Sequence, residues 1–285
     1  MLRGNEIKLY PSGEQKGKIK HNCHLARFVW NQSLVLKRDF YSAGLKLNHY
    51  HLNEFFNDYK EDKDWIKSGD QWALQYVIMR DMPDSFNRFF RGQNGYPKFK
   101  KKKFISSGSY YSSSVNIKVE KNKIKIPKIG WIKVRGVRKD YLESGRVKGI
   151  TIRHDSDNNY YASILFDLPD DIETKFNEKR KVGIDLGVKR WIQLSTGETI
   201  DQVDLSKEID RIKNLKSLVS KTKSHKKRKK IQIAANKTEK KIKNKKKNQI
   251  HQIANRFKKE GTAVVVEDLN TKKMSESKSV DLIEI

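Results

Sequence analysis

Two acids in the sequence could do metal chemistry. Asp185 follows an apolar run and stands between Gly183 and Gly187, and Glu267 ends the apolar run Ala263-Val264-Val265-Val266. The glycines suggest a close backbone approach near a strand, with the acid projecting from its end. Two acids on neighbouring central strands can share a divalent ion, because Mg²⁺ takes hard oxygen ligands. A pair of such ions about 4 Å apart activates water and stabilises the leaving oxygen of a phosphodiester. The ordinary alternative is two acids that cap strand ends.

A second kind of chemistry is electrostatic. Between Lys221 and Lys247 there are 14 Lys or Arg and a single acid, Glu239. Such density repels itself unless phosphates neutralise it. Lys226, Lys227 and Arg228 are its densest part. In a second segment Tyr96, Phe99 and Phe104 are interleaved with Lys98, Lys100, Lys101, Lys102 and Lys103. Lysines hold phosphates and aromatic rings stack on bases, although Phe99 and Phe104 could equally be core. His21 and His24 flank Cys23, but the seven histidines show no ligand spacing. All three residues read as helix packing or surface, not as a metal site.

Composition agrees with a polyanionic partner. The 285 residues carry 62 Lys or Arg against 34 Asp or Glu, a formal net charge of +28. That points to nucleic acid well ahead of a membrane surface. The length suffices for one large domain or two to three small ones. Aromatics at 10% argue against wholesale disorder. No apolar run approaches the roughly 18–20 residues of a membrane span, and the N-terminus lacks a signal-peptide layout. With Cys23 as the one cysteine, neither a disulfide framework nor a cysteine-based zinc ribbon can form. The expected location is a reducing cytoplasm.

These residues need elements to hold them. Glu6–Tyr10 alternates as a strand that ends at a Pro-Ser-Gly turn. Helical spacing covers about His21 to Phe40, about Asn48 to Tyr59 and about Gln71 to Phe90, with Pro83 set to kink or end the last. From Ser112 to Phe166 short alternating runs suggest a small barrel or curled sheet. Residues 170–180 read as a linker. Strand candidates then follow at 182–186, 191–194 and 198–200, a basic helical stretch over about 206–259 and a strand at 263–266. The last 16 residues, Asn270 to Ile285, show no evident packed element.

At this point a family resemblance emerges. Gly183-Ile184-Asp185-Leu186-Gly187-Val188-Lys189 resembles the first RuvC motif of the TnpB proteins, transposon-encoded RNA-guided nucleases, and Val266-Glu267-Asp268-Leu269 with Met274 resembles the second. Gly95-Tyr96-Pro97-Lys98-Phe99-Lys100 resembles the family's Gly-x-Pro-x-Phe-Lys element, Ile126-Pro127-Lys128-Ile129-Gly130-Trp131 its wedge-domain strand, and Leu9-Tyr10-Pro11 its opening strand. The five occur in the family's order across nearly the whole chain.

The resemblance implies an α+β multidomain fold. A wedge-type β-barrel (1–20 and 92–178) would carry a helical recognition insertion (21–91). A truncated RNase H-like (RuvC) α/β domain (179–285) would follow, without a zinc module. It implies a noncoding guide RNA and a double-stranded DNA target with a short adjacent motif as partners, one protein per RNA, no membrane, and a place near the nucleoid. Gln71, Trp72, Gln75, Ser113 and Ser114, with His49 and Asn53, fall at motif-reading positions; Gln and Ser can bond base edges or phosphates. The family's third acid and its zinc module have no counterpart here, and Asp281 and Glu284 are not promoted to that role. Mg²⁺ at Asp185 and Glu267 would then be single and weak. The chain therefore resembles the TnpB-like nuclease-dead repressors (TldR), which sit on a guide-matched promoter. The alternatives are an active RNA-guided endonuclease and a nonspecific RNA-binding transposon remnant.

Overall fold

The computed structural model describes residues 1–101, 108–113, 117–155, 158–169, 179–187 and 191–267. The chain divides into two compact units, Met1–Glu173 and Thr174–Ile285.

In the first unit, β1 (Leu2–Tyr10) runs into α1 (Gly13–Ser42). The helix starts eight residues before its apolar spacing suggests. Ser12 caps it: the Gln15 amide donates to Ser12 Oγ at 3.3 Å, and the Ser12 amide donates to Gln15 Oε1 at 3.0 Å. This reciprocal pair satisfies two of the amides a helix start leaves open. Ile19, Cys23, Ala26, Val29 and Leu34 form its buried stripe. Burial pushes the Cys23 thiol up to about 12, so it stays neutral and packs as an apolar group.

Next come α2 (His49–Glu61), the short α3 (Asp64–Lys67) and α4 (Gln71–Tyr76). A π turn, Val77–Asp81, leads without a break into α5 (Met82–Phe90). The Met82 amide donates to Val77 O, five residues back. The kink expected at Pro83 takes this form. The wider turn puts Pro83 in the first turn of α5, where its missing amide costs little.

The rest of the unit is β2 (Gly108–Ser113), β3 (Lys118–Val119), β4 (Lys123–Ile126), β5 (Gly130–Arg135), α6 (Lys139–Ser144), β6 (Arg146–His154) and β7 (Tyr160–Asp167). The strands form one antiparallel sheet in the order β2-β6-β7-β1-β5-β4-β3. Alternation places Ile7 and Leu9 of β1, Ile132 and Val134 of β5, and Tyr160, Ala162, Ile164 and Phe166 of β7 in the core with α1 and α4. The expected closed barrel is not found among the described residues. β2 pairs with β6 and β3 with β4, and no pairing joins the two ends.

In the second unit, β8 (Arg180–Asp185), β9 (Ile192–Leu194) and β10 (Thr199–Ile200) form an antiparallel meander. α7 (Ser206–Lys221) and α8 (His225–Glu260) follow. Gly261, left-handed at φ 64°, ends α8 and turns into β11 (Thr262–Val266). β11 pairs with β8 in parallel, so the sheet order is β10-β9-β8-β11. The long α7–α8 connection is what a parallel return requires. Val182, Ile192, Leu194 and Phe257 make this unit's core. No helix among the described residues is long and apolar enough to cross a membrane.

Candidate acid pair and nucleic-acid interface

Parallel pairing brings together the two strands that lead to the acids. Val264 lies opposite Val182 and Val266 opposite Ile184. Asp185 ends β8 and Glu267 directly follows β11, so both acids stand at the C-terminal edge of this strand pair. Side chains in register on parallel strands leave the same face of the sheet. Both acids are exposed. On the other side of β8, Asp185 pairs with Gln193 of β9. The Gly183 amide donates to Ser195 Oγ at 3.0 Å, and the Ser195 amide donates to Gly183 O. A Cβ at Gly183 would lie 3.5 Å from Ser195 Cβ, an ordinary contact, so crowding does not explain this glycine as the sequence suggested. Two exposed carboxylates at adjoining strand ends are the donor type a hard divalent ion takes, with water completing its shell. Among the described residues no group of three His, Cys, Asp or Glu is arranged to hold a metal.

The basic tract builds a helical hairpin. α7 and α8 run antiparallel, with Lys216 bonded to Glu239 at 3.0 Å. Glu208, nearly enclosed, receives Lys241 at 3.0 Å and Lys245 at 2.7 Å. These two charge-assisted bonds hold its carboxyl down at about 2. Residues 223–230, at the turn and the start of α8, are all exposed. Lys226, Lys227 and Arg228 thus occupy the first turn of a helix, where cations oppose the helix dipole. Helix stability alone would not place them there, and an anionic partner would reward it.

In the first unit, Asp70 caps the helix that carries Gln71, Trp72 and Gln75. It is buried at 2% exposure. Its Oδ1 accepts from the Trp72 amide at 3.0 Å, its Oδ2 accepts from Ser112 Oγ at 2.7 Å, and its own amide donates to Asn22 Oδ1 at 2.9 Å. Burial raises its pKa, and the Ser112 bond, the Trp72 amide and Lys128 counter that in part. Gln71 and Gln75 lie one turn apart on the helix Asp70 caps, with Trp72 next to them, 38% exposed and so not core. Ser113 follows Ser112 on β2 and is buried. Gln71, Trp72 and Gln75 thus share α4, and Ser113 lies on β2, whose Ser112 joins that helix through Asp70. His49 and Asn53 sit apart on α2, four residues from each other, and Asn53 Oδ1 is buried without a hydrogen-bond partner. Ser114 lies outside the described residues.

The lysine segment is bound to α1. Asn31 clamps Lys100 from both sides, accepting from its amide at 2.8 Å and donating to its carbonyl at 3.1 Å. Trp30 Nε1 donates to Lys98 O at 3.0 Å, and the Lys100 ammonium stands 3.9 Å from the Trp30 ring centre. Phe99 is 46% exposed, which leaves its ring available to a base. Lys102, Lys103 and Phe104 lie outside the described residues, as do Val188, Lys189, Asp268, Met274, Asp281 and Glu284. The Asp70–Ser112 bond and the Asn31 clamp escaped the reading of the sequence, since nothing in the spacing links residues 42 and 69 positions apart.

Comparison with known proteins gives related findings. A family model of the IS605 OrfB proteins described as "Probable transposase" matches residues 163–278. A companion model described as "Helix-turn-helix domain" matches residues 1–46, which here fold as β1 and the single helix α1. A protein of Escherichia coli (strain K12) named "Putative RNA-guided DNA endonuclease InsQ" is 26% identical over 286 residues, covering 97% of this chain and 68% of its own length. A Streptomyces pristinaespiralis protein with the same enzyme name is 23% identical over 282 residues, covering 95% and 68%. A solved structure titled "Cryo-EM structure of CRISPR-Cas12f Ternary Complex" aligns with 91% of this chain and 64% of its own, at 15% identity and a TM-score of 0.38.

Proposed function

We propose, from the premise that both family models and both relatives support a place for this chain in the IS605 OrfB (TnpB) family, that it binds a guide RNA and through it a DNA target. The observation that carries this reading is the second unit's design. A basic hairpin presents exposed cations at residues 223–230, and the parallel β8–β11 pair of the β10-β9-β8-β11 sheet carries Asp185 and, just past its end, Glu267, as the proposed RNase H-like site would require. Guide pairing would supply sequence specificity, and the protein would read backbone shape and a short adjacent motif. Gln71, Trp72, Gln75 and Ser113, held by Asp70, are the proposed readers, with His49, Asn53 and Ser114 at further reading positions. Lys98, Phe99, Lys100 and Lys101 are proposed for the RNA, with Lys102 and Lys103 beside them.

The finer reading is that the complex occupies its target without cutting it, as a repressor of the promoter it covers. Among the described residues the candidate site offers two carboxylates, which would hold one Mg²⁺ weakly, whereas phosphodiester cleavage by paired ions needs a fuller ligand set. When bound, the ion would supply charge for a phosphate; Asp185 and Glu267 are the residues that would hold it.

Purifying the chain from its native cell and sequencing the RNA that accompanies it tests the guided reading. One discrete RNA with a structured body and a short variable end is expected, and a mixture of host RNAs would overturn it. A plasmid carrying the matching target, incubated with the complex and Mg²⁺, tests the finer one. Retention of the plasmid without a cut is expected. Cutting by wild type and none by Asp185→Ala would make the chain an endonuclease.

A further inference from the structure

The first unit holds a cavity of about 390 Å³, of whose lining the proposed function uses only Lys100 and Lys101. Arg27 of α1, Tyr76 and Asp81 from the α4–α5 run, Lys100, Lys101 and Tyr111 of β2 line it. Its size falls within the roughly 300–1,000 Å³ of small-ligand sites.

Three features point to one class of ligand. The first is an aromatic plate. The Tyr76 and Tyr111 rings stack at 3.9 Å and 21°. Tyr111 lies over Gly149, where an added Cβ would fall 2.0 Å from its hydroxyl, and that hydroxyl donates to Lys148 O. Tyr76 is thus the outer ring of the plate. The second feature is a carboxylate beside it. The π turn between Tyr76 and Met82 widens the helix and carries Asp81 round to the cavity that Tyr76 and Val77 also line. Such turns occur often at functional sites. The third is cationic: Arg27, Lys100 and Lys101 surround the same space, with Lys100 held by the Asn31 clamp. Partial desolvation disfavours the charge on both Lys100 and Asp81, and each eases it for the other.

A flat ring to stack, an acceptor for N–H groups and cations for a phosphate together describe a nucleotide. We propose that this cavity binds one unpaired nucleotide, with its base on Tyr76, its N–H edge toward Asp81 and its phosphate among Arg27, Lys100 and Lys101. A free nucleoside monophosphate and a splayed nucleotide of a bound strand offer the same chemistry; in the second form the proposal rests on the RNA-binding reading above.

The test titrates the full chain with AMP, GMP, CMP, UMP and ribose 5-phosphate by calorimetry. Saturable binding of at least one nucleoside monophosphate is expected, with ribose 5-phosphate about 10-fold weaker because it cannot stack. Tyr76→Ala should lose a similar factor while Tyr76→Phe keeps the affinity, with thermal melts confirming that both variants fold. Repeating the titration on the RNA-loaded chain identifies the source. Exclusion of the monophosphate, with weaker RNA binding by Tyr76→Ala, marks a nucleotide of the strand. Undisturbed binding marks a free nucleotide. No saturable binding of any monophosphate, together with equal RNA affinity for wild type and Tyr76→Ala, overturns the proposal. That result would leave guided DNA retention untouched, and loss of guided retention would leave the monophosphate titration standing.

Discussion

Asp70 and Ser112 join the start of α4 to β2 through a buried hydrogen bond of 2.7 Å. The same carboxylate caps α4, so one residue sets both the helix that carries Gln71 and Gln75 and its packing on the sheet. Asp70→Ala removes the cap and leaves Ser112 and the Trp72 amide without their acceptor, and a loss of about 2–4 kcal/mol is expected in denaturant unfolding. Its pH dependence has a definite sign. A carboxyl raised by burial binds its proton more tightly folded than unfolded. Its contribution is therefore most favourable in acid and declines as pH rises from about 4 through the folded value. Asp70→Asn should flatten that decline, and an unchanged pH profile would dismiss the assignment.

Glu208 should behave in the opposite sense. Lys245 and Lys241 hold its carboxyl at about 2, below its ordinary 4.5. The stability it adds is complete above pH 4.5 and is lost as pH falls toward 2. Circular dichroism of the helices should show an acid transition in that window. Glu208→Gln should lower the melting temperature at pH 7 and narrow the difference between pH 7 and pH 3.

The hairpin turn should act through charge alone. Replacing Lys226, Lys227 and Arg228 together with Ala should weaken RNA binding about equally for all sequences. It should also make the slope of log affinity against log salt shallower by about 2, taking roughly 0.7 per lost contact on a single strand. Filter binding from 50 to 400 mM salt decides it, and an unchanged slope would place the contacts elsewhere.

Gln75 should act through sequence. Its side chain shares a face of α4 with Gln71, and an amide can bond a base edge in both directions. Gln75→Ala should alter the preferred target-adjacent motif while overall RNA affinity stays within about twofold. Selection from a randomised flanking library reads this out, and an unchanged motif would show that α4 does not face the base pairs.

A side chain at Gly149 should displace the Tyr111 ring. The Tyr111 hydroxyl occupies the space a Cβ would need. Gly149→Ala must shift the ring or the strand, and overpacking of this kind costs about 1–3 kcal/mol. Near-ultraviolet dichroism of the tyrosines should change with it.

How much was legible differs from element to element. Period-two runs such as Ile124-Lys125-Ile126 identify strands because one face is buried and the other wet. β2 escaped notice, since Gly108–Ser113 buries Ser112 through its bond to Asp70 instead of through apolar alternation. The start of α1 was written locally in Ser12 and Gln15, but apolar spacing placed it at His21. Pro83 marked an irregularity without telling a break from a π turn, because that depends on which carbonyl the preceding amide reaches. The barrel was expected from the number and spacing of short strands, and closure depends on pairing at the sheet ends, which no local pattern encodes.

The residue types alone determined the charge, the anionic partner it calls for, and the two acids at strand ends. Tertiary structure alone decided what stands beside what. Asp185 and Glu267 are 82 positions apart, and a parallel register brings together the two strands at whose ends they stand. Tyr76 and Tyr111 meet where α4 crosses β2, and Glu208 finds two lysines only when α7 folds back along α8. Composition and periodicity act over a few residues, whereas a shared site needs distant backbone brought into register, and only the packed core supplies the free energy for that.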